Sequence, residues 1–526
     1  MWGNNDRFIR RTVPRSLTVT GDEQVPTPGD EVPPDERDAL LSVAHGAVVT
    51  SGGISVQRGL SVVTDAVLTR GLGPELYGVY AFGWRLTNIV LRFASLGATT
   101  TLLRDLPKFS GDPNRQRRVL GLAYLTTALT ASLLAGTIFL SADWINRVTL
   151  DHPAFPETLQ LFAALVVALG FIRLHGSALK AAKSANGEVL LSRIAQPLAR
   201  LVAITVAVVL GYSVVGIVGA VVVAFCLIAV VAYPLTIETI DIRPSFEGLR
   251  AEAADFYDHA VPSALASMGS VLRSRIDVVL IGVFLTSTAA GIYNVVLLLV
   301  GLAGIPLGAF NQLLPPVASD LYSDDKVGVL DDVYSTVTRL VVTFTIPVLA
   351  VLFVFGQELL AVFGSEYTRG YAVLLVFLVG RFTANAAGAS GLLLSMTNNQ
   401  YTVMWLDWGL AVSNVVLTYV FVLEFGLVGA ALGTSTSMVV QNALQVGFLL
   451  RYEGLWPFDR TFLRPIAAGV GMTGAMIGFR AALDGPVALV VGPVAGLLAF
   501  VGLLAAIGTG PRDRLVVSEL AARYRR

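Results

Sequence analysis

The chain has 526 residues, of which 54% are hydrophobic and 14% are charged, and its formal net charge is zero. Its mean hydropathy of +0.70 exceeds that of soluble domains and predicts a polytopic membrane protein. The neutral balance gives no reason to expect a nucleic-acid partner. The single cysteine, Cys226, excludes an internal disulfide or a cysteine metal cluster, and the scattered histidines give no metal-ligand spacing, so no cofactor is expected.

The first 38 residues are polar and proline-rich, which predicts a disordered tail. No apolar core or cleavage site follows the basic start, so a cleavable signal peptide is not expected. Lysine is rare beside arginine, and several loops are rich in aspartate. That bias is typical of a prokaryote with a high-GC genome or a saline habitat, such as a halophilic archaeon.

Long apolar runs follow the tail. A bilayer core of about 30 Å needs about 20 apolar helical residues, and the runs lack the alternation of barrel strands. We therefore predict an all-α membrane protein with about fourteen transmembrane helices. The candidate spans are 42–69, 77–97, 118–141, 158–179, 188–210, 213–237, 259–285, 289–313, 334–355, 370–394, 400–422, 426–450, 462–481 and 486–508.

Basic residues outside these spans are concentrated on one side of the predicted membrane. With the amino terminus inside, the opposite side holds Arg70, Arg147, Arg369 and Arg480 alone. The positive-inside rule then places both termini in the cytoplasm of a multi-pass protein of the cell membrane.

The spans contain an internal repeat. The triplet Gly78-Val79-Tyr80 recurs 213 residues later as Gly291-Ile292-Tyr293, and Asp65 recurs 212 residues later as Asp277. Two further short matches, Asn186 with Asn399 and 214–220 with 427–433, share the offset of 213. We interpret the chain as two homologous six-helix lobes that enter the membrane in the same sense, related by a pseudo-two-fold axis along the membrane normal.

The predicted organisation follows from that repeat. It comprises a cytoplasmic tail (1–38), an N-lobe (39–240), a cytoplasmic linker (241–258), a C-lobe (259–452), two additional spans (453–508) and a cytoplasmic tail (509–526). A substrate site is expected between the lobes, near the membrane midplane.

Ten arginines lie within the spans, where each costs about 2.5–3.5 kcal/mol at the bilayer centre. Arg173, Arg193 and Arg339 lie near cytoplasmic ends, where snorkelling is expected. The remaining ones predict a cationic cavity that binds an anionic headgroup, because the guanidinium fork suits phosphate. Among these remaining arginines, the candidate ligands are Arg58, Arg85, Arg92, Arg273, Arg275 and Arg381.

Helical spacing adds polar and acidic candidates to the same faces. The expected polar lining is Asn88, Asn385, Gln441 and Gln445. The carboxylates of Asp65, Asp277 and Asp407 either take part in ion coupling or pair with arginines. The spacing of Arg273 and Asp277, four residues apart on one helix face, also fits a simple structural strut between the two side chains.

Several segments resemble the multidrug/oligosaccharidyl-lipid/polysaccharide flippase superfamily, in its polysaccharide-biosynthesis, O-antigen-type branch. They are "LTRGLGPELYGVYAF" (68–82), "IDVVLIGVFLTSTAAGIYNVV" (276–296), "PPVASDLYSD" (315–324), "FGSEYTRGYAVLLVFLVG" (363–380) and "FGLVGAALGTSTSMVV" (425–440). The resemblance implies a monomeric flippase, not an enzyme, that moves a polyprenyl- or dolichyl-(di)phosphate-linked glycan between leaflets by alternating access. It also implies coupling to H⁺, Na⁺ or membrane potential, cavity arginines on the first two helices, and contact of the last two helices with the lipid tail.

Two other functions remain open at this point. A cation-coupled exporter of drugs or metabolites would be expected to have carboxylates in its cavity, which the arginine excess opposes. A membrane glycan polymerase or ligase needs a large outer loop, and the longest one, 142–157, is short for an active site.

Overall fold

The computed structural model describes residues 33–482, 486–508 and 510–524. Most of the predicted amino-terminal tail therefore lies outside the described residues. The first helix begins at Pro34, inside the predicted disordered tail, and part of the predicted carboxy-terminal tail forms the helix Pro511–Tyr524. The other predicted domain bounds stay predictions. The described chain is helical throughout and contains no strand, which confirms the predicted all-α class.

Nineteen α-helices follow one another in the described residues, with a π-helical turn, Leu190–Ala195, between α5 and α6 and a 3-10 segment, Ser365–Gly370, before α14. They are α1 Pro34–Val90, α2 Ala98–Lys108, α3 Pro113–Val148, α4 Phe155–Ala181, α5 Ala185–Val189, α6 Gln196–Val209, α7 Val214–Ile240, α8 Arg250–Phe284, α9 Ser287–Leu302, α10 Ile305–Phe310, α11 Leu314–Ser323, α12 Val327–Val354, α13 Gly356–Ala361, α14 Tyr371–Ala386, α15 Ser390–Met396, α16 Gln400–Glu453, α17 Leu463–Ala482, α18 Pro486–Ile507 and α19 Pro511–Tyr524.

Two of these helices contain a pair of predicted spans each. Helix α1 is interrupted at Gly73, whose φ of 72° is a left-handed conformation that favours glycine, and Pro74 follows it. Helix α16 is interrupted at Gly426. Among the described residues, eight helical segments are long and apolar enough to cross a membrane. The total of fourteen spans stays a prediction.

The two lobes meet closely at the end of the bundle that is predicted to face outward. The repeat-related glycines Gly78 and Gly291 lie against each other there. A methyl group added to Gly78 would collide with the carbonyl of Ser287, and one added to Gly291 would come within 3.2 Å of the Gly78 Cα. Nearby, the Arg70 guanidinium donates a hydrogen bond to the carbonyl of Val362 at 2.8 Å. These contacts close the outer end.

At the opposite, predicted cytoplasmic end, the first helix of each lobe begins on the other lobe. The start of α1 buries Leu40 and Val43 in an apolar cluster with Phe310 and Tyr334 of the C-lobe. The start of α8 buries Phe256 in a cluster of N-lobe residues from α2, α3 and α4. The two lobes therefore exchange the beginnings of their first helices.

A buried glutamate holds each exchanged helix beginning in place. Glu36 of α1 is 1% exposed, and Arg512 of α19 forms an ion pair with it. Burial raises the pKa of Glu36, and the Arg512 guanidinium opposes that rise. Glu252 of α8 accepts from Arg115 at 2.6 Å and from Arg118 at 3.1 Å, both on α3. The beginnings of α1 and α8 are thus both stabilised by ion pairs between a buried glutamate and arginine.

Helices α17 and α18 pack against the C-lobe through α12. Met472 and Phe500 lie in a cluster with Ile346 and Phe355. At the predicted cytoplasmic end of α12, Arg339 is 3% exposed and forms ion pairs with Asp459 and Asp513. Its predicted snorkelling to the membrane surface is therefore wrong, because two carboxylates cover it inside the protein.

Replacing Glu252 with Gln should lower the free energy of unfolding by about 2 kcal/mol. Breaking a fully buried ion pair costs about 3–5 kcal/mol, and the partner arginines here stay partly hydrated. The matched control is Asp255→Asn, because Asp255 pairs with the same Arg115 at 3.2 Å but its side chain is 70% exposed. Its loss should cost under about 1 kcal/mol. Thermal unfolding of the purified protein in detergent measures both, and equal losses would contradict the anchoring role of Glu252.

Candidate functional site

A cavity of about 740 Å³ lies between the lobes. Six arginines and one carboxylate, Glu188, line it among the described residues. We call it the arginine cavity, and its arginines are Arg58, Arg85, Arg92, Arg173, Arg193 and Arg200. The sequence predicted the first three, and the structure brings them together.

Six segments carry these side chains. The first part of α1 contributes Arg58, the part beyond the Gly73 break contributes Arg85, and the turn after α1 contributes Arg92. Helix α4, the π-helical turn and α6 supply the other three. The C-lobe closes the opposite wall with Gly301, Gly304 and Gly308. The cavity therefore has a cationic N-lobe wall and a small-residue C-lobe wall.

Arg200 is the most firmly fixed of the six. It donates to Asp65 at 3.1 Å and to the hydroxyl of Tyr80 at 3.1 Å. Its guanidinium also lies 4.2 Å from the ring centroid of Trp84, a cation–π distance. The sequence predicted that Asp65 takes part in ion coupling or pairs with an arginine, and Asp65 accepts from Arg200 of α6.

Arg85 connects the two lobes. Its Nε donates to the side-chain oxygen of Asn294 at 2.8 Å, and the Asn294 amide donates to the Tyr77 hydroxyl at 2.6 Å. The chain of hydrogen bonds runs from α1 to α9 and back to α1. It lies just inside the closed outer end, so the roof of the cavity is polar and fixed.

The structure places two further arginines in the cavity. Arg173 and Arg193 were expected to snorkel, yet both line the cavity. Arg193 lies in the π-helical turn, directly before α6. Pro197 lacks the N–H that would bond to the Arg193 carbonyl, and such π-helical irregularities are frequent at functional sites. Pro197 was the sequence feature that could have indicated the irregular turn at Arg193.

Arg58 lies on the open, solvent-accessible side of the cavity. Its side chain is exposed, and it approaches the C-lobe wall at Gly301. A methyl group added to Gly301 would come within 3.1 Å of an Arg58 nitrogen. Glycine at this position therefore gives the guanidinium its space.

A second, smaller space of about 240 Å³ lies inside the C-lobe. We call it the C-lobe pocket, and its polar lining residues are Asp277, Arg381, Asn414, Thr434, Ser437 and Gln441. Asp277 accepts from the Tyr293 hydroxyl at 2.8 Å. Gln441 donates to Asp407 at 3.1 Å. Arg381 was predicted to share a cavity with Arg58, but the structure places it in this separate pocket.

The remaining polar candidates divide between lining and packing positions. Asn88 lines the arginine cavity. Asn385 is fully buried and donates to the Ala303 carbonyl and to Thr345 instead. Gln445 is also buried and accepts from Ser390 at 3.1 Å. These two amides, predicted as lining, serve helix packing.

Two candidates lie outside the described side chains. Arg273 and Arg275 belong to α8, and their side-chain positions are not described. Their predicted binding role and the predicted strut from Arg273 to Asp277 stay predictions. Among the described residues, no group of three or more His, Cys, Asp or Glu side chains could hold a metal ion.

Comparison with known proteins gives a family and a fold. The model of the family described as polysaccharide biosynthesis protein matches residues 43–321. A curated relative, the probable low-salt glycan biosynthesis flippase Agl15 of Haloferax volcanii, is 24% identical over 262 residues. That match covers 49% of this chain and 54% of the relative, so the chain spans about half the length of the curated relative it matches.

Two solved structures share the fold. The lipid II flippase MurJ, in an inward closed conformation, superposes with a TM-score of 0.68 at 14% identity over 88% of this chain and 98% of its own. An inward-facing multidrug resistance MATE family transporter of the MOP superfamily gives 0.65 at 16% identity over 76% and 97%. The predicted resemblance to polysaccharide-biosynthesis proteins and the all-α membrane-protein fold are confirmed.

The arginine cavity should be reachable from the predicted cytoplasmic side only. Cys226 is the sole cysteine, so Cys226→Ser provides a background for new ones. Asn88→Cys should react with a membrane-impermeant thiol reagent in inside-out vesicles and stay unreactive in right-side-out vesicles. Thr87→Cys is the matched control, because Thr87 is 1% exposed on the neighbouring face of the same helix. Labelling of Asn88→Cys from the outside would contradict a closed outer end.

Proposed function

Because this chain belongs to the polysaccharide biosynthesis protein family, we propose that it is a flippase for a lipid-linked sugar. The carrier is a polyprenyl or dolichyl phosphate or diphosphate. The cargo moves from the cytoplasmic to the outer leaflet by alternating access, for cell-surface polysaccharide or glycoprotein synthesis. Agl15, the curated relative, is described as a probable glycan biosynthesis flippase, which supports this choice.

The observation that carries the proposal is the charge of the arginine cavity. Six guanidinium groups line the cavity beside one lining carboxylate, and Asp65 accepts a hydrogen bond from Arg200. Keeping arginine at membrane depth costs about 2.5–3.5 kcal/mol per residue on insertion scales. An anionic ligand compensates that cost, and the planar guanidinium fork forms two parallel hydrogen bonds to phosphate.

The shape of the cavity fits a two-part ligand. Only a headgroup of phosphate and sugar needs to enter the water-accessible space, while the polyprenyl chain stays in the bilayer. Exposed apolar side chains on α18, such as Val490 and Leu498, offer that chain a surface. The closed outer end and the accessible Arg58 support headgroup entry from the predicted cytoplasmic side.

Coupling of transport to H⁺, Na⁺ or membrane potential stays a prediction. The three candidate carboxylates occupy different surroundings. Asp65 pairs with Arg200, Asp277 accepts from Tyr293, and Asp407 accepts from Gln441. Protonation of Asp65 would release Arg200 for a ligand, which is the most direct connection between a coupling proton and the arginine cavity.

The alternative functions fit the cavity less well. An exporter of cationic drugs would have to stabilise its cargo beside six arginines, which Coulomb repulsion opposes. A glycan polymerase or ligase needs a nucleophile and a base at the outer side, and the outer end of the described chain is filled by contacts between the lobes. We therefore retain the flippase as the proposed function.

Replacing a cavity arginine should slow flipping of a phosphate-linked sugar by about ten- to a hundredfold. A hydrogen bond to a charged group contributes about 1.5–3 kcal/mol, and 1.4 kcal/mol is a factor of ten. Arg92→Ala and Arg193→Ala test this. Lysine at either position should give a flipping rate between those of the wild type and the alanine variant, because lysine keeps the charge but not the planar fork. The control is Arg147→Ala, an exposed arginine far from the cavity.

The measurement uses liposomes containing the purified protein and a fluorescent polyprenyl-phosphate sugar. Exposure of the labelled headgroup to an external quencher reports its movement. Wild-type rates in both cavity variants would sink the proposed function, and so would wild-type transport of a soluble organic cation without movement of the lipid.

A further inference from the structure

We propose that the C-lobe pocket is a saccharide subsite, which binds the first sugar of the lipid-linked cargo while the arginine cavity holds its phosphate. This inference rests on the proposed function and extends it. It assigns a ligand to a pocket whose chemistry differs from that of the arginine cavity. Three observations carry it: the position of the pocket, its lining and its charge.

The C-lobe pocket lies directly behind one wall of the arginine cavity. Gly301 near the end of α9 and Gly304 just beyond it line the cavity, whereas Leu297 and Val300 of α9 line the pocket. The two spaces also come close at Gly304, because a methyl group added there would lie 3.3 Å from a guanidinium nitrogen of Arg381, which lines the pocket. The two spaces are therefore near enough to each other for adjoining parts of one headgroup.

The lining of the pocket suits sugar hydroxyls. Ser437 is buried, and its hydroxyl oxygen has no hydrogen-bond partner among the described residues. Gln441 donates one amide hydrogen to Asp407 and keeps a second one for a ligand. Phe377 adds an aromatic ring to the lining, and such a ring packs against the apolar face of a pyranose.

The charge of the pocket favours an uncharged ligand. Its lining contains one carboxylate, Asp277, and one guanidinium, Arg381. Asp277 already accepts from the Tyr293 hydroxyl and from the backbone N–H of Val278. A bare cation would meet Arg381 in the same space, which opposes its binding. The volume of about 240 Å³ is below the range of drug-sized sites, so it suits a single sugar unit.

The test compares two lipids that differ in one sugar: a polyprenyl phosphate and the same lipid carrying one hexose. Affinities are measured for the purified protein in detergent at about 100 mM NaCl and at the same concentration of choline chloride, because the two salts screen charge equally and differ in the size of the cation. Wild-type protein should bind the glycosylated lipid more tightly. Ser437→Ala and Gln441→Leu should each reduce that preference on the order of threefold to tenfold.

The control is Thr436→Ala, which removes a hydroxyl from an exposed neighbour of Ser437 on the same helix. It should leave both affinities unchanged. Arg92→Ala should weaken both lipids alike, because phosphate is common to them. The use of two pocket variants keeps the test decisive if one of them fails to fold, and thermal unfolding identifies such a variant.

Three results would overturn the inference. Equal loss of affinity for both lipids in Ser437→Ala and Gln441→Leu would assign the pocket to something other than the sugar. If those variants lose the difference in lipid affinity between the two salt conditions while the sugar preference stays intact, the C-lobe pocket is a cation site instead. Failure of wild-type protein to bind either lipid would remove the proposed function itself, and the subsite with it.

Discussion

The hydration of guanidinium groups at membrane depth is the constraint on which the arrangement of the lobes depends. Arginine facing lipid there is strongly disfavoured, so the N-lobe turns its arginines toward the C-lobe. The facing C-lobe wall contains glycines, and Gly301 leaves room for the Arg58 side chain. The space between the lobes is therefore kept open by charge on one side and by small residues on the other.

The two lobes use the same repeat for different chemistry. Tyr80 and Tyr293 occupy matching positions, as do Asp65 and Asp277. In the C-lobe the tyrosine donates directly to the aspartate, whereas in the N-lobe Arg200 lies between them and bonds to both. The guanidinium between Tyr80 and Asp65 thus makes the N-lobe pair part of a cationic wall.

Helical spacing predicted the faces of the spans but not their neighbours. It placed Arg58, Arg85 and Arg92 toward the interior, where the structure has them. It could not assign Asn385 to packing or Arg193 to the cavity, because both outcomes depend on which helix lies opposite. Distance from a span end was a poor guide for Arg173, since a water-accessible cavity brings solvent to arginines well inside the bundle.

The exchanged helix beginnings connect the arginine cavity to any movement of the lobes. Helix α1 buries side chains in the C-lobe cluster up to Ala47 and packs the half-buried Ile54 against it, whereas Asp65 pairs with Arg200 of the N-lobe. Between Ala47 and Asp65 the helix contains Gly52, Gly53 and Gly59, each of which lowers helix stability by about 1 kcal/mol relative to alanine. A rocking motion that separates the lobes must be taken up in this segment. Arg58 lies within it, so the arginine at the open side of the cavity moves whenever the lobes do.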